Sequence, residues 1–407
     1  MNKKLNSLVL VLLFAAVFAH VAAWAAAPSI AWQKCLGGSN DDMAYSIKQT
    51  GDGGYIVAGK TESNNGDVSG NHSSGDDARL VKLDASGTIV WQKCYGGASY
   101  ECANSVYQTS DGGYAFAGEV MSNNGDVSGN HGGNDAWVVK LDASGTIAWQ
   151  KCLGGSGDDK AFSILQTNDG GYIVAGSTNS NDGDVSGNHG GVVDAWVVKL
   201  SASGAIAWQK CLGGSGVEIA YSIQQTSDGG YIVAGFTTSN DGDVSGNHGS
   251  IDVWVVKLDA SGAIEWQKCL GGSGEDYAYS IQQTSDGSYI VAGVTTSTNG
   301  DVSGNHGGYD AWVVKLNASG SKVWQKCLGG SGIDMAISIQ QTSDGGYIVA
   351  GYTASTNGNV SGNHCGDDAW VVKLNPDDSG GSGGGGCSEG FGIFGVLALG
   401  ALVFRKK

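Results

Sequence analysis

Proline is almost missing from this chain, with 2 in 407 residues, and basic side chains are few, 22 Lys and Arg against 39 Asp and Glu. No amphipathic helical period runs for any length, which argues against a helical bundle. The net charge of −17 sets the surface against nucleic acid and anionic lipid, and in favour of cations or cationic partners. The repeats show no G-x-S-x-G or H-E-x-x-H motif, and no phosphate-binding Gly-Lys loop is recognised, so no catalytic motif supports an enzyme. What is abundant is glycine, 70 residues, which fits many short elements joined by tight turns.

The two ends read as processing segments. Lys3 and Lys4 precede an apolar stretch, Leu8 to Ala19, and small residues follow to Ala27. That order is a secretory signal over residues 1–27, with cleavage after Ala25 or Ala27. At the other end, 376–386 is a Gly/Ser linker, and 387–407 holds Cys387, an apolar run from Phe391 to Phe404, and Arg405-Lys406-Lys407. Fourteen apolar residues are short for a bilayer span, and the basic cluster should stay cytoplasmic. Without the charges in these ends, 17 basic residues face 38 acidic ones, a net −21.

Between the ends lies one repeat. Trp-Gln-Lys-Cys begins at Trp32, Trp91, Trp149, Trp208, Trp266 and Trp324, a period of 58 or 59 residues. Each repeat predicts four short strands. In the third repeat these are Ala161–Thr167, Tyr172–Gly176, Ala195–Leu200 and Ala205–Cys211, bounded by Asp-Gly-Gly, Ala-Ser-Gly and Gly-Gly-Ser-Gly turns. The second and third strands are nearly continuous apolar runs, as expected of sheets covered on both faces. The fold class expected over 28–375 is all-β, a six-bladed β-propeller of four-stranded antiparallel blades. The chain supplies a lone fourth strand, Ile30–Cys35, before the first repeat and none after Ala369–Leu374. Pairing those two segments would complete the last blade and close the ring.

Leu-Gly-Gly-Ser-Gly-Asp-Asp, then Ala-Tyr-Ser-Ile and Asp-Gly-Gly-Tyr-Ile-Val-Ala-Gly, resemble the SBBP-type β-propeller repeats of bacterial surface proteins. The likeness covers roughly residues 35–374 and departs in the longer second-to-third loop and in the Trp-Gln-Lys-Cys strand. Gly383-Gly384-Gly385-Gly386-Cys387-Ser388 with the apolar run and basic end resembles the CTERM-type sorting signals, the Synerg-CTERM kind most closely. That resemblance implies anchoring or cleavage near Cys387, and a plain membrane anchor is the alternative.

In such a blade the two short turns share one end and the two long loops, second-to-third and fourth-to-first, share the other. Function concentrates on long loops held by a rigid frame. The second-to-third loops match calcium-loop positions 1, 3, 5 and 12: Asn65, Asp67, Ser69, Asp76; Asn124, Asp126, Ser128, Asp135; Asp182, Asp184, Ser186, Asp194; Asp241, Asp243, Ser245, Asp252; and Asn299, Asp301, Ser303, Asp310. Asn357 and Asn359 weaken the sixth copy. The same residues also make ordinary Asp-Gly and Ser-Gly turns, with the last Asp capping the third strand, and both readings stand on the sequence. One His per repeat (His72, His131, His189, His248, His306, His364) reads as polar surface.

Cys35, Cys94, Cys152, Cys211, Cys269 and Cys327 occupy equivalent outer positions, too far apart to bridge, and read as small apolar side chains. Cys94 and Cys102 are the local candidates for a bridge, and Cys365 is a single loop thiol. The Trp rows read as packing between blades. Arg79 stands where the five other third strands carry Trp, so the first blade should be looser there.

The expected protein is thus exported, monomeric and non-catalytic, a surface-anchored binding or adhesion module. Its partner would be a protein or glycan rather than nucleic acid, its membrane contact the C-terminal segment; no cofactor is required, and calcium is the one its loops could take. A carbohydrate-active enzyme or a structural envelope component are the alternatives.

Overall fold

The structure, a computed structural model, describes residues 31–72 and 75–377. The signal segment, most of the linker, the apolar run and Cys387 lie outside the described residues.

The described residues hold 23 strands in six antiparallel sheets and no helix. In the third blade the strands are Asp159–Gln166, Tyr172–Thr178, Asp194–Leu200 and Ile206–Leu212, bonded in chain order. The first strand thus starts two residues before the expected Ala161, because the buried Asp159 belongs to it. Register is set by the Ala-Gly pair at the middle of the second strand. Gly176 lies opposite Trp196, and a Cβ there would collide with the Lys160 carbonyl, so only glycine fits.

The chain is a six-bladed β-propeller. First strands of successive blades run beside one another, and a bulge after Ala44, Ala103 and their equivalents frees a serine hydroxyl for the neighbour. Ser46 Oγ accepts from Val106 N at 3.3 Å, and Ser105, Ser163, Ser222 and Ser280 repeat the contact. The second and third strands of blades two to five are buried throughout, as their apolar runs implied. The Trp rows do pack between blades. Trp137, Trp196, Trp254 and Trp312 are at most 3 % exposed, and each fourth-strand Trp meets the next blade's Tyr, as Trp149 meets Tyr172 with ring centres 5.5 Å apart.

Trp-Gln-Lys-Cys is explained by one network. Gln150 accepts from Trp137 Nε1 at 2.9 Å and donates to Ser128 O and Oγ, tying the fourth strand to the third and to the long loop. Cys94, Cys152, Cys211, Cys269 and Cys327 are buried free thiols, and Cys94 and Cys102 do not bridge. Burial pushes the Cys152 and Cys211 thiols up to about 12, far from reactivity.

Two expectations need correction. Arg79 does not loosen the first blade. Its strand is buried throughout, because the guanidinium donates to Leu36 O and Asp67 O, both at 3.0 Å, in place of an indole. The sixth sheet has three strands, Asp334–Gln341, Tyr347–Thr353 and Asp368–Leu374, and Ala31–Cys35 carries no strand pairing. The third strand of that blade alternates between half-buried and exposed residues, with Val371 52 % exposed. Five apolar cores join successive blades among the described residues, and none joins the sixth blade to the first. Ala31–Cys35 and Asp368–Leu374 are the two segments that no turn joins, since they stand at opposite ends of the repeat array. Beyond the sixth blade's third strand the chain follows the path of a third-to-fourth turn: Asp377 accepts from Trp324 Nε1 at 2.8 Å and pairs with Lys315.

Candidate functional site

The two ends of the blades differ in how they hold charge. At the short-turn end a lysine near the end of each third strand reaches back to the Asp of the Asp-Gly turn. Lys82–Asp52, Lys140–Asp111, Lys199–Asp169 and Lys315–Asp286 meet at 2.9 Å, and Lys257–Asp228 at 3.0 Å. These lysines are buried, and all but Lys315 also donate to a backbone carbonyl, as Lys199 does to Leu200 O. The aspartates are held down in turn. Asp111 and Asp169 fall to about 2, chiefly through the hydroxyls of Thr109 and Thr167, with the lysines adding to it. Every acid of this turn has its own cation.

The long-loop end is built from carboxylates. The acid that opens the first strand of blades two to six is buried and capped. Asp159 accepts from Thr178 Oγ1, from Ser180 Oγ at 2.8 Å and from Gly155 N at 2.8 Å, and Glu101, Glu218, Asp276 and Asp334 accept the equivalent glycine N–H. The acid that opens the third strand of blades one to five is equally buried but half-used. Asp135, Asp194, Asp252 and Asp310 take a His through Oδ2 and leave Oδ1 without a hydrogen-bond partner. His131 donates its backbone N–H to Asp135 Oδ2 at 3.1 Å and brings Nδ1 to 2.7 Å from the same oxygen.

This His–Asp partnership was not anticipated, and it corrects the reading of the histidines as mere polar surface. A signal existed: in every repeat the His precedes the Asp that starts the third strand by four or five residues. Burial alone would pull His72, His131 and His189 down, but the bond to the carboxylate and the surrounding acids move them up. Desolvation raises Asp77, Asp135 and Asp194. The imidazoles also reach across: His72 Nε2 is 3.5 Å from Asp126 and His189 Nε2 is 3.4 Å from Asp243, each in the next blade's loop.

The calcium-loop residues do lie together in these loops, but each is engaged by a different partner. The first position (Asn65, Asn124, Asp182, Asp241, Asn299) accepts a backbone N–H of the fourth-to-first loop, as Asn124 does from Ala98 N at 2.9 Å. The fifth (Ser69, Ser128, Ser186, Ser245, Ser303) takes the Gln side chain. The twelfth (Asp135, Asp194, Asp252, Asp310) takes the His. In the first blade the equivalent acid is Asp77 rather than Asp76, which instead pairs with Lys60 at 2.7 Å. The third position (Asp67, Asp126, Asp184, Asp243, Asp301) leans over the fourth-to-first loop, its N–H on that loop's carbonyl, as Asp126 N on Gly96 O at 2.9 Å. Among the described residues no three His, Cys, Asp or Glu side chains stand gathered at metal-ligand spacing.

The sequence also hid one string. Gly54-Tyr-Ile-Val-Ala-Gly59-Lys60-Thr61 spells the G-x-x-x-x-G-K-T phosphate-loop pattern letter for letter. Tyr55–Thr61 is a strand, its backbone N–H groups belong to the sheet ladder, and no helix follows, so it cannot cradle a phosphate.

These features define a repeat β-propeller whose Asp-Gly turns are charge-paired by lysine and whose long-loop end is rich in carboxylates. No family model matches the chain. It is 25% identical over 242 residues to the regulatory protein FlaEY of Caulobacter vibrioides, across 53% of this chain and 25% of that protein, so it spans about a quarter of that relative's length. Among solved structures it is similar to a protein of unknown function from Bacteroides caccae (14% identity, 68% of this chain and 79% of that one, TM-score 0.40). It is also similar to the Neurospora crassa Pan2 WD40 domain (11%, 75% and 72%, TM-score 0.44) and to BamB from Moraxella catarrhalis (14%, 79% and 85%, TM-score 0.37).

Proposed function

We propose that the chain is an exported binding or adhesion module, without chemistry of its own, that engages a cationic protein segment or a glycan through its long-loop end. The observation that supports this is the unequal neutralisation of the Asp-Gly turns and the long loops. Each Asp-Gly-turn aspartate has a lysine and Asp84, Asp142 and Asp259 of the third-to-fourth turns are capped by hydroxyl and N–H donors, whereas Asp158, Asp182 and Asp241 on the long loops are exposed and paired with no cation. A rigid surface carrying unneutralised charge attracts the opposite charge over about a Debye length. The loops that carry it are fixed by side-chain caps in every blade, so little ordering opposes binding. A groove of about 460 Å³ between blades two and three, lined by Ser128, His131, Gln150 and Asp184, offers polar contacts at its rim. Export, and tethering through 387–407 with processing at Cys387, complete the reading.

The test is binding of the mature chain to glycan and basic-peptide arrays at low and high salt. Asp182→Asn and Asp241→Asn copy the Asn124 and Asn299 of sister blades and so keep the fold while removing charge. Weaker, less salt-sensitive binding by the double variant is expected. Binding indifferent to both salt and these substitutions would sink the proposal.

A further inference from the structure

The blade array ends in two bare faces that are the halves of one interface. At the fifth junction Ile290, Ala292, Ala311 and Val313 of the fifth blade pack on Ala336, Ile339, Tyr347 and Val349 of the sixth. The sixth blade repeats the first set without a cover. Ala369 is exposed and Val371 is 52 % exposed, where Ala311 and Val313 are fully buried. The first blade repeats the second set, and it too is uncovered. Ala44 is exposed and Ile47 half-buried, while Ala103, Ala161, Ala220, Ala278 and Ala336 are at most 1 % exposed. Ser338 is the sixth of a series whose other five members each accept an N–H of the next blade, and among the described residues it accepts none.

The open edge of Asp368–Leu374 adds a socket of the same kind. In the third blade Gln209 joins Trp196 Nε1, at 2.8 Å, to Ser186 O and Oγ. The equivalent Trp370 and Ser361 take no glutamine, and with Asp368 and Ala369 they line a hollow of about 270 Å³. The chain's own continuation, Asp378 to Gly386, is Gly and Ser apart from that Asp and has nothing to fill it. The sequence that fills the socket elsewhere, Trp-Gln-Lys-Cys, stands unused at Ala31–Cys35, where no strand pairing is made and Cys35 is exposed.

We infer that a second copy of this chain occupies the open end. Its Ala31–Cys35 adds as the fourth strand of the sixth blade, and its first blade packs on Ala369 and Val371 as a next blade would. The register is that of the inner blades: Lys34 lies opposite Val371 and Cys35 opposite Trp370, as Lys210 and Cys211 lie opposite Val197 and Trp196. Strand addition gives the free edge its ladder, and the apolar faces close over one another as they do at each inner junction. The contact is heterologous, so a pair of chains still carries one bare face at each end and grows head to tail.

The experiment is light scattering of the mature chain from about 1 to about 100 μM, with two variants. Ala44→Arg blocks the first-blade face and Val371→Lys the sixth-blade face; both positions are exposed in the single chain, so both variants fold. The unaltered chain should form species of twice the chain mass and above as concentration rises. Each variant alone should stay monomeric, and the two mixed should form a 1:1 pair that grows no further, because each supplies the face the other lacks. Gln33→Ala should weaken association about tenfold by removing the bonds to Trp370 and Ser361. An unaltered chain that is monomeric throughout, its melting temperature lowered by both variants, closes on itself and overturns the inference. Association that survives in each variant alone runs through another segment, such as 387–407, and overturns it equally.

Discussion

The short-turn end and the long-loop end are made from the same repeat, yet they solve the burial of charge in opposite ways. At the short turns a buried lysine is matched to a solvent-facing aspartate, so the desolvated partner is the cation, and the acid keeps its water. At the long loops the desolvated partners are the acids, and the group offered to them is a half-exposed imidazole. The first arrangement is self-contained. The second leaves one carboxylate oxygen over at every junction, which is why chemistry is to be sought there and not at the turns. A repeat that settled its charges at both ends would be a scaffold and nothing more.

The contrast can be broken most forcefully at the saturated acid. Asp159→Ala would strand the Thr178 and Ser180 hydroxyls and Gly155 N–H in a buried junction, a loss of about 4 kcal/mol in chemical denaturation. Lys199→Met at the opposite end should lose only about 1 kcal/mol, since Asp169 is already in water and the methionine keeps the packing of the stem. Equal losses at the two sites would show that the ends are not built differently.

A weaker but more selective probe is pH, because the two ends carry opposite signs. His72, His131 and His189 are shifted up, so their contribution is complete below the unfolded value near 6.5 and is lost as pH rises through the folded value. The raised Asp135 and Asp194 act in the same direction at lower pH. Asp111 and Asp169 are shifted down, so their contribution is complete above about pH 4 and fades towards about 2, muted because these carboxylates are mostly solvent-exposed. Amide exchange should therefore show the long-loop junctions opening first between pH 6 and 8, and the short turns opening first below pH 4. The same order at both extremes would refute the assignment.

How much of this was legible beforehand follows from what each feature depends on. Blade number, strand order and the segregation of long loops follow from the spacing of Trp-Gln-Lys-Cys and from Asp-Gly-Gly turns, because local turn chemistry and a fixed period determine them. The buried thiols and the Trp packing were legible for the same reason. The His–Asp pairs were not, because residues four or five apart in a glycine-rich loop carry no periodicity that announces a contact. Arg79 was misread because a guanidinium that finds two carbonyls at 3.0 Å serves as well as an indole, and those carbonyls come from 12 and 43 residues away. The closing strand was misjudged because Ile30–Cys35 matches Ile206–Cys211 residue for residue, yet identity of sequence supplies no connecting turn.

The smallest expected effect lies in the blade that departs most from its sisters. Cys365 follows its His at φ 99°, a left-handed conformation that a residue with a Cβ adopts at a cost of about 1–2 kcal/mol. Gly190 and Gly307 occupy the same place after His189 and His306, at φ 80° and 127°, without that cost. Cys365→Gly should remove the strain, while the greater freedom of glycine in the unfolded chain takes back about half of the gain. A net stabilisation of about 0.5 kcal/mol in denaturant titration is expected, together with the loss of one thiol that reacts with reagent in the folded state. Destabilisation would mean that the thiol itself holds the sixth loop. In that case this loop, the least buried of the six, would not be governed by the carboxylate and imidazole contacts that order the others.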